Sequence, residues 1–355
     1  MCQSKGCYTS VLDRPTMKLC VLITSVGGLV SPGIIENLRS LPEVSQIIGV
    51  DASGETIGSY MVDKYYNVPM GDDPEYVKVI SDIASRENVN VMIPASDEEV
   101  FALSFHKKSF EKKGIAILCP KYEIVATVID KGSMLSFLKQ HNFPVPNFFL
   151  PTSIEEVIQA AERLGYPSKP VVVKPRRGRG GRGFRILREN INGLNTRYSN
   201  EMRLHWFIEA VKQQEPLEIV MEEYLTGEDY SVDVLADNGH LLFVVPRRRI
   251  RAILGPSQLG VVIWNQEIVD IVQSIVRIFG ISFNVNIQLK YSNDHKPLVY
   301  EINPRISGTI VASAAAGVDL LREGIRYALG LGPSIPPMSK PKPLKMIRYL
   351  KEYFV

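Results

Sequence analysis

The sequence is poor in the residues that build metal clusters, disulfide frameworks and membrane spans. Its 355 residues include only 5 histidines and 4 cysteines, and no spacing among them matches a zinc site. Cys20 and Cys119 lie in apolar, strand-like runs, where a free thiol behaves as a small hydrophobic side chain. No uninterrupted apolar stretch approaches the length of a membrane span. Residues 1–17 lack the apolar core of a signal peptide, so we expect a loose extension there and a reducing, cytoplasmic setting.

A strong excess of one charge is also missing. The 41 lysines and arginines are nearly balanced by 38 aspartates and glutamates, whereas a protein that coats nucleic acid usually shows a larger excess. The positive charge is instead concentrated locally. The segment 171–186, VVVKPRRGRGGRGFRI, holds six basic side chains and four glycines. A cationic loop on a balanced protein favours a small anionic ligand, and nucleic-acid binding is the alternative.

Residues 18–122 alternate between strand-like and helix-like segments. Buried-strand patterns occur at 18–25, 46–51, 89–94 and 115–118, with helical patterns between them. Such alternation predicts an α/β unit with a doubly wound parallel sheet.

The first turn of this unit lacks a dinucleotide-binding motif. Gly27, Gly28 and Gly33 do not fit G-x-G-x-x-G, although Asp51 lies where a ribose-binding acid would be expected. We interpret the turn as a strand-to-helix connection, with Pro32 near the first helical position, in preference to an NAD site. It can also bind part of a substrate, because ligands lie beyond the carboxyl ends of such strands.

Beyond residue 122 the pattern changes to α+β. Helical patterns at 130–142 and 153–165 precede a series of strands, and 285–292 pairs with 297–303 as a predicted hairpin around Asn293–Asp294. The other predicted strands are 169–175, 183–187, 217–225, 229–237 and 240–250.

Lys174 and the glycines that follow it form the first candidate site. A lysine at the end of a strand has a fixed position, and its ammonium group suits phosphate. Glycines allow backbone N–H groups to approach phosphate oxygens closely. We favour a phosphate-binding loop over a solvated hairpin tip. The glycines are Gly178, Gly180, Gly181 and Gly183.

Acidic residues interrupt the apolar pattern of the predicted strands in 220–234, VMEEYLTGEDYSVDV. Alternation places Glu222 and Glu223 on opposite faces, so one of them can face a ligand. Glu228 or Asp229 could accept hydrogen bonds from a ribose diol, although acidic turns are common.

Three oxygen donors interrupt the apolar hairpin. Glu301 and Asn303 are two residues apart and share a face, and the hairpin can bring Gln288 beside them. Such oxygen ligands suit magnesium, which takes the rest of its shell from water and phosphate. We favour a metal site over a cross-strand polar pair.

Arginines supply the remaining candidates. Arg305 follows Asn303 by two residues and could stabilise a phosphoryl group or grip a carboxylate. Strand alternation sends Arg247, Arg249 and Arg251 to one face, which indicates either a bound anion or a solvated edge strand.

These motifs, in this order, resemble the ATP-grasp superfamily, and in particular the ATP-binding halves of carbamoyl phosphate synthetase large chains and the stand-alone ligases built on that plan. The resemblance covers residues 18–330 and is specific in the combination of Lys131, VVVKP with its glycine loop, MEEYLTGEDYSVDV and NIQLKY…YEINPR. It implies a preATP-grasp domain at 18–122, a linker helix and small lid domain at 123–225, and a large nucleotide and metal domain with a tail at 226–355.

The resemblance also implies roles for individual residues. Lys131 and Lys174 would contact the phosphates of ATP, and the loop Gly178–Gly183 would close over them. Glu222 would lie beside the adenine, the backbone of Glu223 and Leu225 would bond its edge, and Asp229 or Glu228 would hold the ribose. Gln288, Glu301 and Asn303 would hold one or two Mg²⁺ ions, with Mn²⁺ as a substitute, and Arg305 would face the transferred phosphoryl group. We place substrate specificity at 25–33, Asp97, Glu98 and Arg247–Arg251.

The implied activity is that of an ATP-dependent carboxylate–amine ligase acting through an acyl phosphate. A kinase or carboxyphosphate-forming enzyme on the same scaffold is the alternative. Synthetase halves often carry a second arginine three residues after the first, and Gly308 stands there in this chain, which weakens the case for bicarbonate. A complete carbamoyl phosphate synthetase does not fit in 355 residues. We expect small-molecule partners, neither nucleic acid nor membrane, and leave a homodimer open.

Overall fold

Three β-sheets organise the chain. The computed structural model describes residues 18–178, 180–191, 200–214, 216–252 and 257–355. Within these ranges the strand orders are β3-β2-β1-β4-β5, β6-β10-β7-β8-β9 and β15-β14-β11-β12-β13-β16. The predicted succession of an α/β unit and an α+β unit is confirmed.

The first sheet is parallel throughout, as the sequence predicts. All six residues of its central strand β1, LCVLIT, are buried, because helices cover both faces of the sheet. Its strands are β1 (Leu19–Thr24), β2 (Val44–Asp51), β3 (Lys64–Asn67), β4 (Val91–Ile93) and β5 (Ala116–Ile117). Its helices are α1 (Ser31–Ser40), α2 (Ile57–Met61), α3 (Tyr76–Arg86), α4 (Asp97–Phe105) and α5 (Lys107–Lys112).

The turn after β1 is held by its own polar contacts. Asp51 accepts hydrogen bonds from the amides of Gly27, at 2.8 Å, and Ser53, at 2.8 Å. Pro32 lies in the first turn of α1. The carboxylate of Asp51 is therefore engaged in fixing the turn, in line with its interpretation as a structural connection.

The second sheet is small and mixed. Its strands are β6 (Phe148–Phe149), β7 (Val171–Pro175), β8 (Arg185–Leu187), β9 (Glu201–Met202) and β10 (Ile219–Glu223). Along the chain, helices α6 (Tyr122–Ile129) and α7 (Lys131–Gln140) precede these strands. Helices α8 (Ile154–Arg163) and α9 (Leu204–Val211) lie between them. Ser153 caps α8 by accepting a hydrogen bond from the amide of Glu156, as the capping pattern in the sequence predicts.

The third sheet is antiparallel and contains the predicted hairpin, β14 with β15. Its strands are β11 (Asp229–Asp237), β12 (His240–Ala252), β13 (Ser257–Val262), β14 (Phe283–Tyr291), β15 (Pro297–Asn303) and β16 (Leu344–Ile347). Its helices are α10 (Gln266–Phe279), α11 (Val311–Ala315) and α12 (Leu320–Ala328). Strand β16 was not predicted, because the proline-rich segment 333–343 hides its short pattern.

The two faces of the third sheet differ in chemistry. One face contributes Tyr230, Val232 and Ile287 to an apolar core with α7 and α10. The opposite face carries polar side chains from alternate positions of four neighbouring strands. We call this set the polar face: Asp229, Ser231, Asp233, Arg247, Arg249, Asn286, Gln288, Glu301 and Asn303.

The first and third sheets share a hydrophobic core. Val21 and Ile23 of β1 belong to the same buried cluster as Phe243 and Val245 of β12. This shared core fixes the carboxyl end of β1 relative to the third sheet. Among the described residues, no helix is both long and apolar enough to cross a bilayer.

Candidate functional site

Lys174 and Glu222 form a buried ion pair between the neighbouring strands β7 and β10. Lys174 Nζ lies 2.8 Å from Glu222 Oε2, and the two side chains are 11% and 3% exposed. The ammonium group also lies 4.8 Å from the centre of the Tyr300 ring, which belongs to the third sheet. Lys174 therefore stands where the second and third sheets meet.

Lys131 connects three separate segments. It is the first residue of α7, and its Nζ donates a 2.9 Å hydrogen bond to the carbonyl of Gly178 in the glycine loop. The same Nζ lies 3.7 Å from Glu301 Oε1 on β15. One ammonium group thus bridges the loop and the predicted metal strand.

The four glycines of the loop adopt backbone angles that other residues rarely adopt. Gly178, Gly180, Gly181 and Gly183 all have positive φ, between 62° and 134°. At Gly183 a Cβ atom would lie 2.5 Å from Pro175 Cγ, so a side chain cannot be accommodated. Arg179 lies outside the described residues.

Asp130 anchors the start of the loop to α7. It caps the helix by accepting a hydrogen bond from the amide of Ser133, and it receives Arg176 Nε and Nη2 at 3.0 Å each. Burial opposes the charge of Asp130, but the bonds from Ser133 and Arg176 outweigh it and lower the pKa of this carboxyl.

We therefore predict a pH-dependent loss of stability for Asp130→Asn. Asparagine keeps the helix cap, so the change removes mainly the charge that binds Arg176. A lowered pKa in the folded state stabilises the protein above the ordinary pKa of aspartate, and this stabilisation is lost as the pH falls through the folded-state pKa. Urea unfolding at pH 7 should show a deficit of about 1–3 kcal/mol. The deficit should shrink as the pH falls below about 4, where this carboxyl begins to protonate in the unfolded chain, and should be lost below the lowered pKa of the folded state; a deficit that stays constant over this range would contradict this role.

Tyr300 enters the site through an irregularity in the hairpin. The register between β14 and β15 shifts between Gln288 and Leu289, so that Glu301 pairs with Gln288 and Val299 pairs with Leu289. Tyr300 is the extra residue, and this bulge breaks strict alternation. As a result, the neighbouring side chains of Tyr300 and Glu301 both reach the site.

Tyr300 completes a network with three polar-face residues. Its hydroxyl lies 3.0 Å from Asp229 Oδ1, 2.7 Å from Gln288 Oε1 and 3.0 Å from Arg249 Nη1. Burial raises the pKa of Asp229, and the nearby Arg249 opposes that rise. Beside the network lies an open cavity of about 440 Å³, lined in part by Glu228, Arg251 and Lys290.

The three predicted metal ligands lie together on the polar face. Gln288 is paired with Glu301, and Asn286 is paired with Asn303 one step further along the hairpin. As metal ligands they offer one carboxylate and two amide oxygens. This set of ligands suits a hard cation that keeps water and phosphate in its coordination shell. Gln288 Oε1 now accepts from Tyr300 and Arg249, so it must turn to bind a metal. Within the described ranges, no three His, Cys, Asp or Glu side chains form a metal cluster.

Arg305 links the third sheet to the first. Its Nε donates a 2.7 Å hydrogen bond to Asp97, the first residue of α4, and its Nη2 lies 3.4 Å from Asn303 Oδ1. Burial disfavours the guanidinium charge, but Asp97 outweighs this effect and raises the pKa of Arg305. The sequence singled out both residues separately, and the structure pairs them.

The predicted row of three arginines does not form. Arg247 is fully buried and donates to Asp233 and Ser231 at 3.0 Å each. Arg249 belongs to the Tyr300 network, whereas Arg251 is exposed. The reason is an irregular register of β12 with β13 between Arg249 and Arg251, which interrupts the alternation.

The segment predicted to meet a base has partners of its own. The amide of Glu223 donates to the carbonyl of Asn147 at 3.0 Å, and its carboxylate accepts from the amide of Asn147. Leu225 is buried, and Glu228 is paired with Arg248. Asp229, rather than Glu228, is the acid of this pair that joins the Tyr300 network.

Tyr300 and Lys290 lie at the site although neither was predicted from the sequence. Tyr300 occupies a position that strict alternation assigns to the apolar face, and only the bulge reverses this. Lys290 lines the cavity, and burial lowers the pKa of its ammonium group. Its position two residues after Gln288 was a signal available in the sequence.

Two family descriptions match the chain. Residues 215–352 match "ATP-grasp in the biosynthetic pathway with Ter operon", and residues 21–118 match "PylC-like, N-terminal domain". Among curated proteins, the large chain of carbamoyl phosphate synthase from Pseudothermotoga lettingae is 25% identical over 300 residues, which are 80% of this chain and 25% of that protein. The corresponding protein of Acidobacterium capsulatum is 28% identical over 231 residues, 62% of this chain and 20% of that one. The chain thus spans about a quarter of the length of such relatives or less.

Solved structures share the fold. N5-carboxyaminoimidazole synthetase from Staphylococcus aureus, complexed with ADP, has a TM-score of 0.69 at 17% identity and covers 95% of this chain and 84% of that one. The biotin carboxylase domain of 2-oxoglutarate carboxylase from Hydrogenobacter thermophilus, a dimer with MgADP and bicarbonate, has a TM-score of 0.67 at 19% identity, with 89% and 71% coverage.

Proposed function

We propose that this chain is an ATP-dependent carboxylate–amine ligase of the ATP-grasp superfamily, on the basis of the ATP-grasp family model that matches residues 215–352 and of its likeness to carbamoyl phosphate synthase large chains. In such a reaction a substrate carboxylate attacks the γ-phosphorus of ATP and releases ADP, which leaves an acyl phosphate. An amine then attacks the acyl carbon, phosphate departs, and an amide is formed. The chain needs no covalent nucleophile of its own for either step.

One observation carries the proposal: four separate segments converge on one cleft. Lys131 of α7 contacts both Gly178 and Glu301, and Lys174 of β7 lies over the ring of Tyr300. Tyr300 in turn bonds to Gln288. A cleft with two ammonium groups, a glycine loop and a patch of oxygen donors suits a triphosphate with its divalent cation.

The residues of the cleft would act by positioning and by charge. Lys131 and Lys174 would neutralise phosphate oxygens, and the loop Gly178–Gly183 would cover them and exclude water. Gln288, Glu301 and Asn303 would hold Mg²⁺, which, when bound, supplies further neutralisation of phosphate charge.

Arg305 and the nucleotide-contacting segment complete the assignment. Arg305, held in place by Asp97, would face the phosphoryl group in transfer. We assign the adenine contacts to Glu222 and to the backbone of Glu223 and Leu225, and the ribose to Asp229. A homodimer and a cytoplasmic setting stay predictions.

A screen for ADP release tests the ligase proposal. Purified protein with MgATP is incubated with pooled small carboxylic acids, with and without pooled amino acids and other amines. A ligase should release ADP with an acid, and free phosphate should accumulate only when an amine is supplied. Glu301→Ala provides the inactive control. If no acid and amine combination releases ADP above the level of this variant, the ligase assignment is wrong.

Formation of carboxyphosphate is a second candidate. It is favoured by the likeness to the biotin carboxylase domain, whose structure contains bicarbonate. This activity would release ADP with bicarbonate alone, and the release would be lost when the buffer is depleted of CO₂. A ligase for larger acids would be insensitive to that depletion.

A further inference from the structure

Arg348 contacts the segment that follows Arg305. It follows β16, and its amide donates a 2.8 Å hydrogen bond to the carbonyl of Gln258 on β13. Its side chain crosses to the segment after β15, where Nη2 donates to the carbonyl of Gly308 at 2.7 Å. Gly308 is three residues beyond Arg305. The segment 305–308 therefore carries one guanidinium group of its own and is hydrogen-bonded to a second, that of Arg348.

The charge of Arg348 is not neutralised within the part of the chain that the structure describes. Three other arginines of this region have a carboxylate partner: Arg247 has Asp233, Arg249 has Asp229 and Arg305 has Asp97. No described acid forms an ion pair with Arg348. Its Nη1 atom is buried and has no hydrogen-bond acceptor there, and a buried donor left in this way is destabilising.

A second cation reinforces the positive field around Arg348. Burial, followed by the charge of Arg247, lowers the pKa of Arg348, so the two guanidinium groups act on each other. Arg247 is fully buried, and its Nε also lacks an acceptor among the described residues. Arg247 is paired with Asp233 and Arg348 has no such acid, but each keeps a buried N–H group without an acceptor among the described residues, and an anion beside Arg348 would supply what is missing.

Glycines allow close packing around Arg348 and Arg247. A Cβ atom on Gly308 would lie 2.9 Å from a methyl group of Val30, in the turn between β1 and α1. A side chain at position 308 would thus collide with Val30. The guanidinium group near this position belongs to Arg348, not to residue 308. On β13, a Cβ atom on Gly260 would lie 3.3 Å from the side chain of Arg247.

We propose that Arg348 binds an oxyanion of the substrate. The substrate would then carry a carboxylate or phosphate in addition to the carboxylate that is phosphorylated. The subsite lies between the third sheet and the turn after β1, where a ligand is expected at the carboxyl ends of the parallel strands. The identity of the ligand as substrate rests on the ligase function proposed above, whereas binding of the anion does not.

Titration calorimetry with two probe anions tests the subsite directly. Sodium malonate and sodium phosphate are titrated separately into the full chain, saturated with magnesium and a non-hydrolysable ATP analogue so that the triphosphate cleft is filled. Sodium chloride keeps the ionic strength constant. We expect saturable binding to the wild type and binding weaker by about tenfold or more for Arg348→Gln, because one charge-assisted hydrogen-bonding group is removed. The tighter probe identifies the anion class as carboxylate or phosphate.

Two further variants make the result specific. Arg348→Lys keeps the charge but loses the planar pair of N–H donors, so its affinity should lie between those of the wild type and Arg348→Gln. Lys345→Gln removes an exposed cation from β16, the strand just before Arg348, and should bind like the wild type. Unchanged affinity for the ATP analogue shows that each variant is folded.

The outcomes separate the two proposals. Absence of saturable anion binding to the wild type, or equal binding by Arg348→Gln, would overturn the subsite. Absence of ADP release in the substrate screen would overturn the ligase function while leaving the calorimetric result intact.

Discussion

Glu301→Gln should reduce ADP release by about 10²–10³-fold at saturating MgATP and acid, because it removes the only carboxylate among the three proposed metal ligands. Glutamine preserves the volume of the side chain, so the surrounding hairpin should keep its packing. The change also removes the negative charge that lies 3.7 Å from Lys131 Nζ. A coupled assay for ADP measures the effect.

The dependence on magnesium separates a ligand from a purely structural residue. If Glu301 holds Mg²⁺, the variant should need a higher Mg²⁺ concentration for half-maximal rate, whereas its affinity for ADP in EDTA should stay close to that of the wild type. Asp294→Asn is the matched control, since it removes an exposed carboxylate from the turn of the same hairpin. A Glu301→Gln variant with ADP release within threefold of the wild type would refute the metal assignment.

The sequence allows the regular part of this site to be predicted because regular strands obey alternation. The two-residue spacing of Glu301 and Asn303 places them on one face, and the hairpin brings Gln288 opposite Glu301. The buried runs of the first sheet likewise predict a parallel arrangement, since only a sheet covered on both faces buries every residue of LCVLIT.

Strict alternation cannot predict side-chain directions at bulges and register shifts. Tyr300 reaches the site only through the bulge beside it, and Arg251 leaves the row of Arg247 and Arg249 at a register shift. Neither irregularity has a glycine or proline at the affected residue to announce it. The alternation of side chains between the two faces of a strand therefore fails as a guide at bulges, where the backbone turns a functional side chain to the other face.

Contacts between segments that are far apart in the chain could not be predicted from the sequence either. Asp97 and Arg305 are 208 residues apart, yet they form one of the closest ion pairs of the site at 2.7 Å. The sequence marks Gly308 as a position without the second arginine seen in the resembled synthetase halves. The structure brings Arg348, 40 residues later, to the carbonyl of Gly308. Side-chain identity at one position was thus a poor guide to the charge present there.

Lys174→Met should affect both stability and activity, because Lys174 is the cation of a buried pair and a proposed phosphate contact. Glu222 is only 3% exposed, and its second oxygen, Oε1, already lacks a partner among the described residues. Removing the ammonium group leaves an uncompensated buried carboxylate, which costs about 3–5 kcal/mol in comparable pairs. Urea unfolding measures this loss.

A second substitution separates the two roles of Lys174. In the double variant Lys174→Met with Glu222→Gln no charge is left buried, so much of the lost unfolding free energy should return. ADP release should not return, since the phosphate still lacks the ammonium group that neutralises it. The exposed pair of Lys212 and Glu209 is the matched control, and the same two changes there should leave both stability and activity almost unchanged. Recovery of ADP release together with stability would mean that Lys174 only supports the fold, and the triphosphate would then need a different partner in the cleft.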